Sequence, residues 1–271
     1  MRFVLSLVWY EFTQITVIRM GYLYYCYIIA IVTPCSRRCH SGMDFFFFFL
    51  MILPIKISLP KQPQTITFEE IPSHLKEIIV GLALGDLNIR RRSLNTCLRF
   101  KQSTKNEPYI QHLYTLFQEF CIMTPKIGET MLNNKKYQSI YFDTLTYEAF
   151  NYYHELFYVN KIKIVPTNIE ELLTAKSLAY WAMDDGGADR SGFIFYTNCF
   201  TLEEVQRLVV ALKNKFDLNC SIHTRKDKEK QPYLIYVKAD SWIKFKNLVE
   251  PHIIPHFQYK LKLRGSRKKN S

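Results

Sequence analysis

Asp86 and Asp185 each close a short run of apolar and small residues. The first run is Ile79-Val80-Gly81-Leu82-Ala83-Leu84-Gly85-Asp86-Leu87 and the second is Leu178-Ala179-Tyr180-Trp181-Ala182-Met183-Asp184-Asp185-Gly186. A carboxylate at the end of a buried helix is costly unless a cation or a set of donors answers it. Taken singly, Asp86 reads as an ordinary helix-ending turn residue. The repetition of the carboxylate in similar surroundings implies two related halves that share one acidic centre. Carboxylates brought side by side repel, and a divalent cation held between them relieves the repulsion. An all-oxygen ligand set completed by water suits Mg²⁺, with Mn²⁺ as a substitute.

Two helices must meet closely for this to happen. Gly81 and Gly85 lie four apart, hence on one face of a helix, where each glycine lowers helix stability by about 1 kcal/mol relative to alanine. A close backbone contact is the expected return. Ala179, Ala182 and Met183 offer a similarly thin surface on the second helix. The chain around these helices repeats itself. The first half is expected to run as a helix over 74–84, basic strands over 88–101, a helix over 109–120, a hairpin turning near 133–136 and a helix over 147–157. The second is expected as a helix over 175–183, strands around 193–198, a helix opened by Thr201 with Glu204 in a capping box, a hairpin turning at 227–231 and a helix over 241–249. Tyr233, Ile235 and Val237 should face one way, with Leu234, Tyr236 and Lys238 opposite. The fold class is therefore α+β, with antiparallel sheets each burying one face under helices.

The composition fits a folded protein with an anionic partner. The 271 residues carry a formal charge of +12 with 48% hydrophobic residues. Residues 1–65 hold six basic and two acidic side chains, leaving +8 on the remainder. Nucleic acid is the leading partner and an anionic membrane the rival. The apolar stretches 20–32 and 45–55 are each shorter than the roughly 18–20 residues that cross a bilayer, so no membrane is expected. Residues 1–65 read as an N-terminal extension, poorly structured or read through from flanking sequence, with 60–64 as the linker to the folded body. The seven cysteines form no disulfide framework, and Cys35, Cys39 and His40 lack a second pair at zinc-site spacing. Reduced, mostly buried thiols are expected. The abundance of Phe, Tyr, Ile, Lys and Asn fits an A/T-rich organellar genome, and mitochondrion is expected before chloroplast.

The two nine-residue runs resemble the doubled motif of the LAGLIDADG homing endonucleases, in their single-chain, two-motif branch. The resemblance extends over about residues 70–264, through Phe157-Tyr158-Val159-Asn160, Lys163, Pro166, Phe200-Thr201, Lys213-Asn214-Lys215-Phe216 and Tyr259-Lys260. Leu87 departs from the generic motif, which has glycine there, and this bears on the backbone path after Asp86. The resemblance implies a duplicated αββαββα fold, 66–165 and 166–271, whose two sheets form a DNA-binding saddle. It implies that Asp86 and Asp185 bind catalytic metal, with the carbonyls of Gly85 and Asp184 completing the coordination. Of the adjacent acids, Asp185 is assigned the metal because it precedes glycine; Asp184 alone would read as solvated. Lys163 and Lys260 fall where the family has active-site lysines. The implied reaction is hydrolysis of both strands of a long duplex DNA site by a monomer, leaving short 3′ overhangs. Implied base-reading residues are Arg90, Arg92, Arg99, Gln102, Thr197, Asn198, His223 and Arg225. Only alternate members of Arg90–Arg92 can face DNA. The alternatives are an intron RNA maturase and a membrane-associated basic protein.

Overall fold

An unbroken apolar run with no polar face belongs inside a protein, and the last two turns of α1 (Ser73–Leu84) sit there. Every residue of it from Ile78 onward is buried. The computed structural model describes residues 66–132, 135–224 and 233–263. The chain divides into Met1–Gln62 and Pro63–Ser271, and all described residues belong to the second part. The apolar stretches 20–32 and 45–55 and the Cys35–Cys39–His40 group therefore lie outside them. Among the described residues, no helix is long and apolar enough to cross a membrane.

After α1 come β1 (Asn88–Arg92), β2 (Asn95–Ser103), α2 (Glu107–Phe117), β3 (Lys126–Leu132), β4 (Lys135–Asp143) and α3 (Asn151–Phe157). The four strands form an antiparallel sheet in the order β1-β2-β4-β3. A small hairpin follows, β5 (Tyr158–Val159) and β6 (Ile162–Lys163), then a short α4 (Ile169–Leu172). The second set repeats the plan with α5 (Ala175–Asp185), β7 (Gly186–Asp189), β8 (Gly192–Tyr196), α6 (Leu202–Phe216), β9 (Cys220–Thr224), β10 (Tyr233–Val237) and α7 (Ala239–Val249). Its sheet order, β7-β8-β10-β9, is the same topology again. The fold is the duplicated α+β architecture with two antiparallel sheets.

Each sheet is covered on one face. Phe100 stacks on Phe142 at 4.5 Å and meets Phe117 of α2 in the first half. Trp181 of α5 stacks on Phe195 at 4.0 Å, and Phe193 and Phe195 pack on Phe245 of α7 in the second. These aromatics anchor the core because burying an aromatic side chain removes on the order of 150–250 Å² from water.

Several details differ from the sequence reading. Helix α5 continues two residues past Met183, so Asp184 and Asp185 occupy its last turn. Strand β7 was not expected, nor was the hairpin β5–β6, whose turn residues Asn160 and Lys161 both take positive φ. The helix expected over 109–120 starts at Glu107, and a 3₁₀ turn takes over at Gln118. Lys238 lies beyond β10, as the N-cap of α7, and Leu234 is buried although it faces away from buried Ile235 and Val237. Of the described cysteines only Cys97 is buried, while Cys121 and Cys220 are half-buried and Cys199 is exposed.

Candidate functional site

Helices α1 and α5 touch backbone to backbone. A Cβ placed on Gly81 would lie 2.1 Å from the Ser177 carbonyl oxygen, and one on Gly85 would lie 2.4 Å from Asp184 Oδ2. The surface that receives Gly81 is thus the backbone of Ser177, not the Ala179, Ala182 and Met183 side chains. Thr174 opens α5 with a reciprocal box, its hydroxyl oxygen accepting the Ser177 amide and the Ser177 hydroxyl accepting the Thr174 amide. Contacts at both Gly81 and Gly85 run the two helices toward the same end, where both finish in carboxylates.

Asp86 and Asp185 line one cleft together with Gly85, Lys163, Asn198 and Cys199. The Asp185 carboxyl is pushed up to about 7, first by burial and then by the charge of Asp86, against the pull of Lys163 and Lys260. Asp86 is more exposed, and its Oδ2 accepts the Gln102 side-chain amide at 2.7 Å. A chain of donors continues from there: Asn106 Nδ2 to Gln102 Oε1 at 3.1 Å, with Asn106 Oδ1 3.3 Å from His256 Nε2. Asp184 is not a solvated neighbour of Asp185. Its carboxylate reaches across the helix pair, accepting the Tyr109 hydroxyl at 2.8 Å and the Asp86 amide at 3.0 Å. Burial and the nearby charge of Asp86 raise its carboxyl well above the ordinary range.

Two helix C-termini that end in acids, with no basic residue in either last turn, carry unfavourable dipole terms. Two lysines from elsewhere answer them. Lys163, placed by the β5–β6 hairpin, donates to the Gly85 carbonyl at the end of α1. Lys260, on the 3₁₀ segment Pro255–Leu261, donates to the Met183 carbonyl and lies 3.3 Å from those of Ala182 and Asp184. Burial lowers both ammonium pKa values, opposed by the surrounding carboxylates. Each lysine therefore cages a helix end and brings positive charge to the cleft, which is the C-cap role of a basic residue. The carbonyls of Gly85 and Asp184 already accept these ammoniums, and each retains a second lone pair.

The strand register settles which basic residues share a face. Ile89 is buried against the helices, so Asn88, Arg90 and Arg92 point to the open side of the first sheet, opposite Arg99, Cys97 and Asn95 of β2. Arg91 points the other way and pairs with Glu155 of α3 at 2.8 Å. Arg99 lies half-buried over the Tyr141 ring, 3.6 Å from Asp143. Lys101 joins the same open face two residues on. The second sheet shows Tyr236, with His223 stacked 5.1 Å away.

Two expected base-reading residues are misplaced for that role. Gln102 lies on the helix side of β2, in register with buried Ile140, and holds Asp86. Thr197 is fully buried, its hydroxyl donating to the Tyr233 carbonyl at 2.8 Å. Asn198 lines the carboxylate cleft, and Arg225 falls outside the described residues. Alternation along a strand could have separated Gln102 from Lys101. Nothing in the residue types marked the side chain of Asp184.

Among the described residues, no three His, Cys, Asp or Glu side chains gather as a ligand group. A cation here would rest on the two carboxylates, backbone carbonyls and outside oxygens, a hard donor set suited to a hydrated divalent ion.

A model of the LAGLIDADG DNA endonuclease family matches residues 76–245. The cytochrome b mRNA maturase bI2 of Debaryomyces hansenii is 32% identical over 230 residues, spanning 82% of this chain and 87% of its own length. The probable intron-encoded endonuclease 1 of Wickerhamomyces canadensis is 34% identical over 198 residues, spanning 69% and 83%. Among solved structures, the homing endonuclease I-WcaI bound to its DNA recognition sequence is 32% identical with a TM-score of 0.66, covering 73% of this chain and 89% of that one.

Proposed function

Because this chain belongs to the LAGLIDADG DNA endonuclease family, we propose that it is an intron-encoded homing endonuclease that cuts both strands of a specific duplex DNA site. The observation that carries the reading is the convergence of Asp86 and Asp185, one from each half, in one cleft at the ends of the α1–α5 pair. The reaction is phosphodiester hydrolysis leaving short 3′ overhangs. Asp86 and Asp185 would hold a divalent cation, Mg²⁺ or Mn²⁺ in its place, which would supply charge neutralisation at the scissile phosphate and an activated water. Lys163 and Lys260 add fixed positive charge where negative charge develops. Arg90, Arg92, Arg99 and Lys101 on the open face of the first sheet, and His223 on the second, meet the duplex, which the single chain engages as a monomer. The related structure with bound DNA supports a duplex partner. The mitochondrion is the proposed compartment.

A second reading has a specific observation in its favour, since two relatives carry the name of an mRNA maturase. Under it, the basic faces bind host-intron RNA and assist splicing, with or without cleavage. One experiment separates the two. The purified protein is incubated with duplex carrying the intron-free junction of its own gene, with and without Mg²⁺. A defined double-strand break only with the ion supports the endonuclease. Intact DNA, together with accelerated splicing of the host intron, supports the maturase.

A further inference from the structure

The backbone leaving α1 has one amide that the helix cannot serve. Gly85 N–H bonds back to the Gly81 carbonyl at 3.2 Å and Leu87 N–H to the Leu82 carbonyl at 3.0 Å. The amide between them, that of Asp86, turns out of the helix and is taken by Asp184 Oδ2 at 3.0 Å. The carboxylate of Asp184 lies directly on the α-carbon of Gly85, where a methyl group would stand 2.4 Å from it. Its other oxygen accepts the hydroxyl of fully buried Tyr109 at 2.8 Å. Tyr109 opens the buried face of α2 and packs edge-on against Phe257 at 5.0 Å, so its hydroxyl is fixed by the core.

We propose that Asp184, braced by Tyr109, is a positioning residue of the second half that sets the place of Asp86 in the first, by gripping the Asp86 amide across the helix pair. A buried carboxylate facing an apolar helix joint is expensive, and both of its oxygens receive donors aimed at it. The arrangement has a direction. Gly85, which stands just past α1 in the place that Asp184 has on α5, has no side chain to return the grip and leaves the space that the Asp184 carboxylate fills. Asp184 of the second half therefore grips the first at two points, the Tyr109 hydroxyl and the Asp86 amide, and its side chain holds the two carboxylate-bearing ends in register. The Gln102 amide on Asp86 Oδ2 then sets the rotation of a carboxylate whose backbone Asp184 has already placed.

The inference rests on the proposed role of Asp86, and the test keeps the two apart. Single-turnover cleavage of each labelled strand of the intron-free junction duplex is measured with Mg²⁺, and DNA affinity with Ca²⁺ in its place. The proteins are the parent, Asp86→Asn, Asp184→Ala, Asp184→Asn and Tyr109→Phe, each checked for a native melting transition. An asparagine at 184 still offers oxygen to the Asp86 amide while its NH₂ donates to the Tyr109 oxygen, so the grip survives without the charge. Displacing a reacting group by about 1 Å costs about 10²-fold in rate. Asp184→Ala is expected to lose about that much, with the strand preference of Asp86→Asn and unchanged DNA affinity. Tyr109→Phe should lose several-fold, and Asp184→Asn should stay near the parent. Asp184→Ala cleaving at the parental rate, Asp184→Asn as slow as Asp184→Ala, or a loss seen only as weaker DNA binding would each overturn the positioning role. Asp86→Asn cleaving at the parental rate would instead refute the assignment of Asp86 beneath it.

Discussion

Gly81 is the position where the smallest change should have the largest consequence. An alanine there would put its methyl 2.1 Å from the Ser177 carbonyl oxygen and 2.9 Å from the Ser177 α-carbon. A carbon and a carbonyl oxygen approach to about 3.3 Å, so the helices must separate by roughly 1 Å at that point. The obstacle is backbone, which cannot rotate away. Overpacking of this kind costs about 3 kcal/mol at the upper end of its range, against about 1 kcal/mol regained in helix propensity. The net loss is about 2 kcal/mol, a fall of roughly 4–8 °C in Tm for a body of this size. The same separation shifts the Asp86 end relative to Asp185, and an error of about 1 Å lowers single-turnover cleavage about 10²-fold. Thermal melts followed by circular dichroism and strand-resolved cleavage measure the two effects. Adding Ser177→Gly to Gly81→Ala should not restore either, because the clashing atom belongs to the main chain. A Gly81→Ala protein that melts at or above the parental temperature would refute backbone contact between the helices.

Three other outcomes follow from the geometry. Lys260→Met leaves the carbonyls at the end of α5 and the nearby carboxylates without their cation, and cleavage should fall about 10²-fold or more while DNA affinity changes little, by single-turnover assay and filter binding. Thr197→Val removes a buried hydroxyl that donates to Tyr233, and should cost about 1 kcal/mol in urea denaturation without altering base preference at any target position. The exposed Asp217 carboxyl is held down to about 2, first by its hydrogen bonds to Lys213 and Lys244 and then by their charges. Its folded pKa lies below its unfolded one, so its contribution is complete above about pH 4 and is lost as pH falls toward 2. Asp217→Asn should therefore flatten that part of the urea-midpoint profile, and an unchanged profile would remove the pairs from the stability of α6.

The central helices were legible because they combine small residues at helical spacing with an abrupt carboxylate, a conflict that only a packed, answered site resolves. The capping box at Thr201 was equally plain, and its Glu204 carboxylate also accepts the Val165 amide on the connection between the halves. The box at Thr174 was hidden, since Ser177 stands where a longer acid usually does. Strand β7 begins with Gly186-Gly187, which carries no β-forming signal; it exists because its amides and carbonyls pair with β8. The hairpin carrying Lys163 escaped notice because its strands are two residues long and because Lys161 takes positive φ where a glycine would have marked the turn; only Asn160 is a residue type that favours it. The site residues divide the same way. Alternation beside buried Ile89 assigns Arg90 and Arg92 to the open face, and the same rule assigns Gln102 inward. The role of Asp184 depends on which atom crosses a helix joint, and single-residue spacing does not encode that.

The shared centre is tested most directly by crystals of the protein bound to its junction duplex in Mn²⁺, with the ion located by anomalous scattering. A peak within about 2–2.5 Å of carboxylate oxygens from both Asp86 and Asp185, beside a phosphate, is the predicted result. Manganese held by only one of the two, or seated elsewhere while both strands are cut, would contradict it.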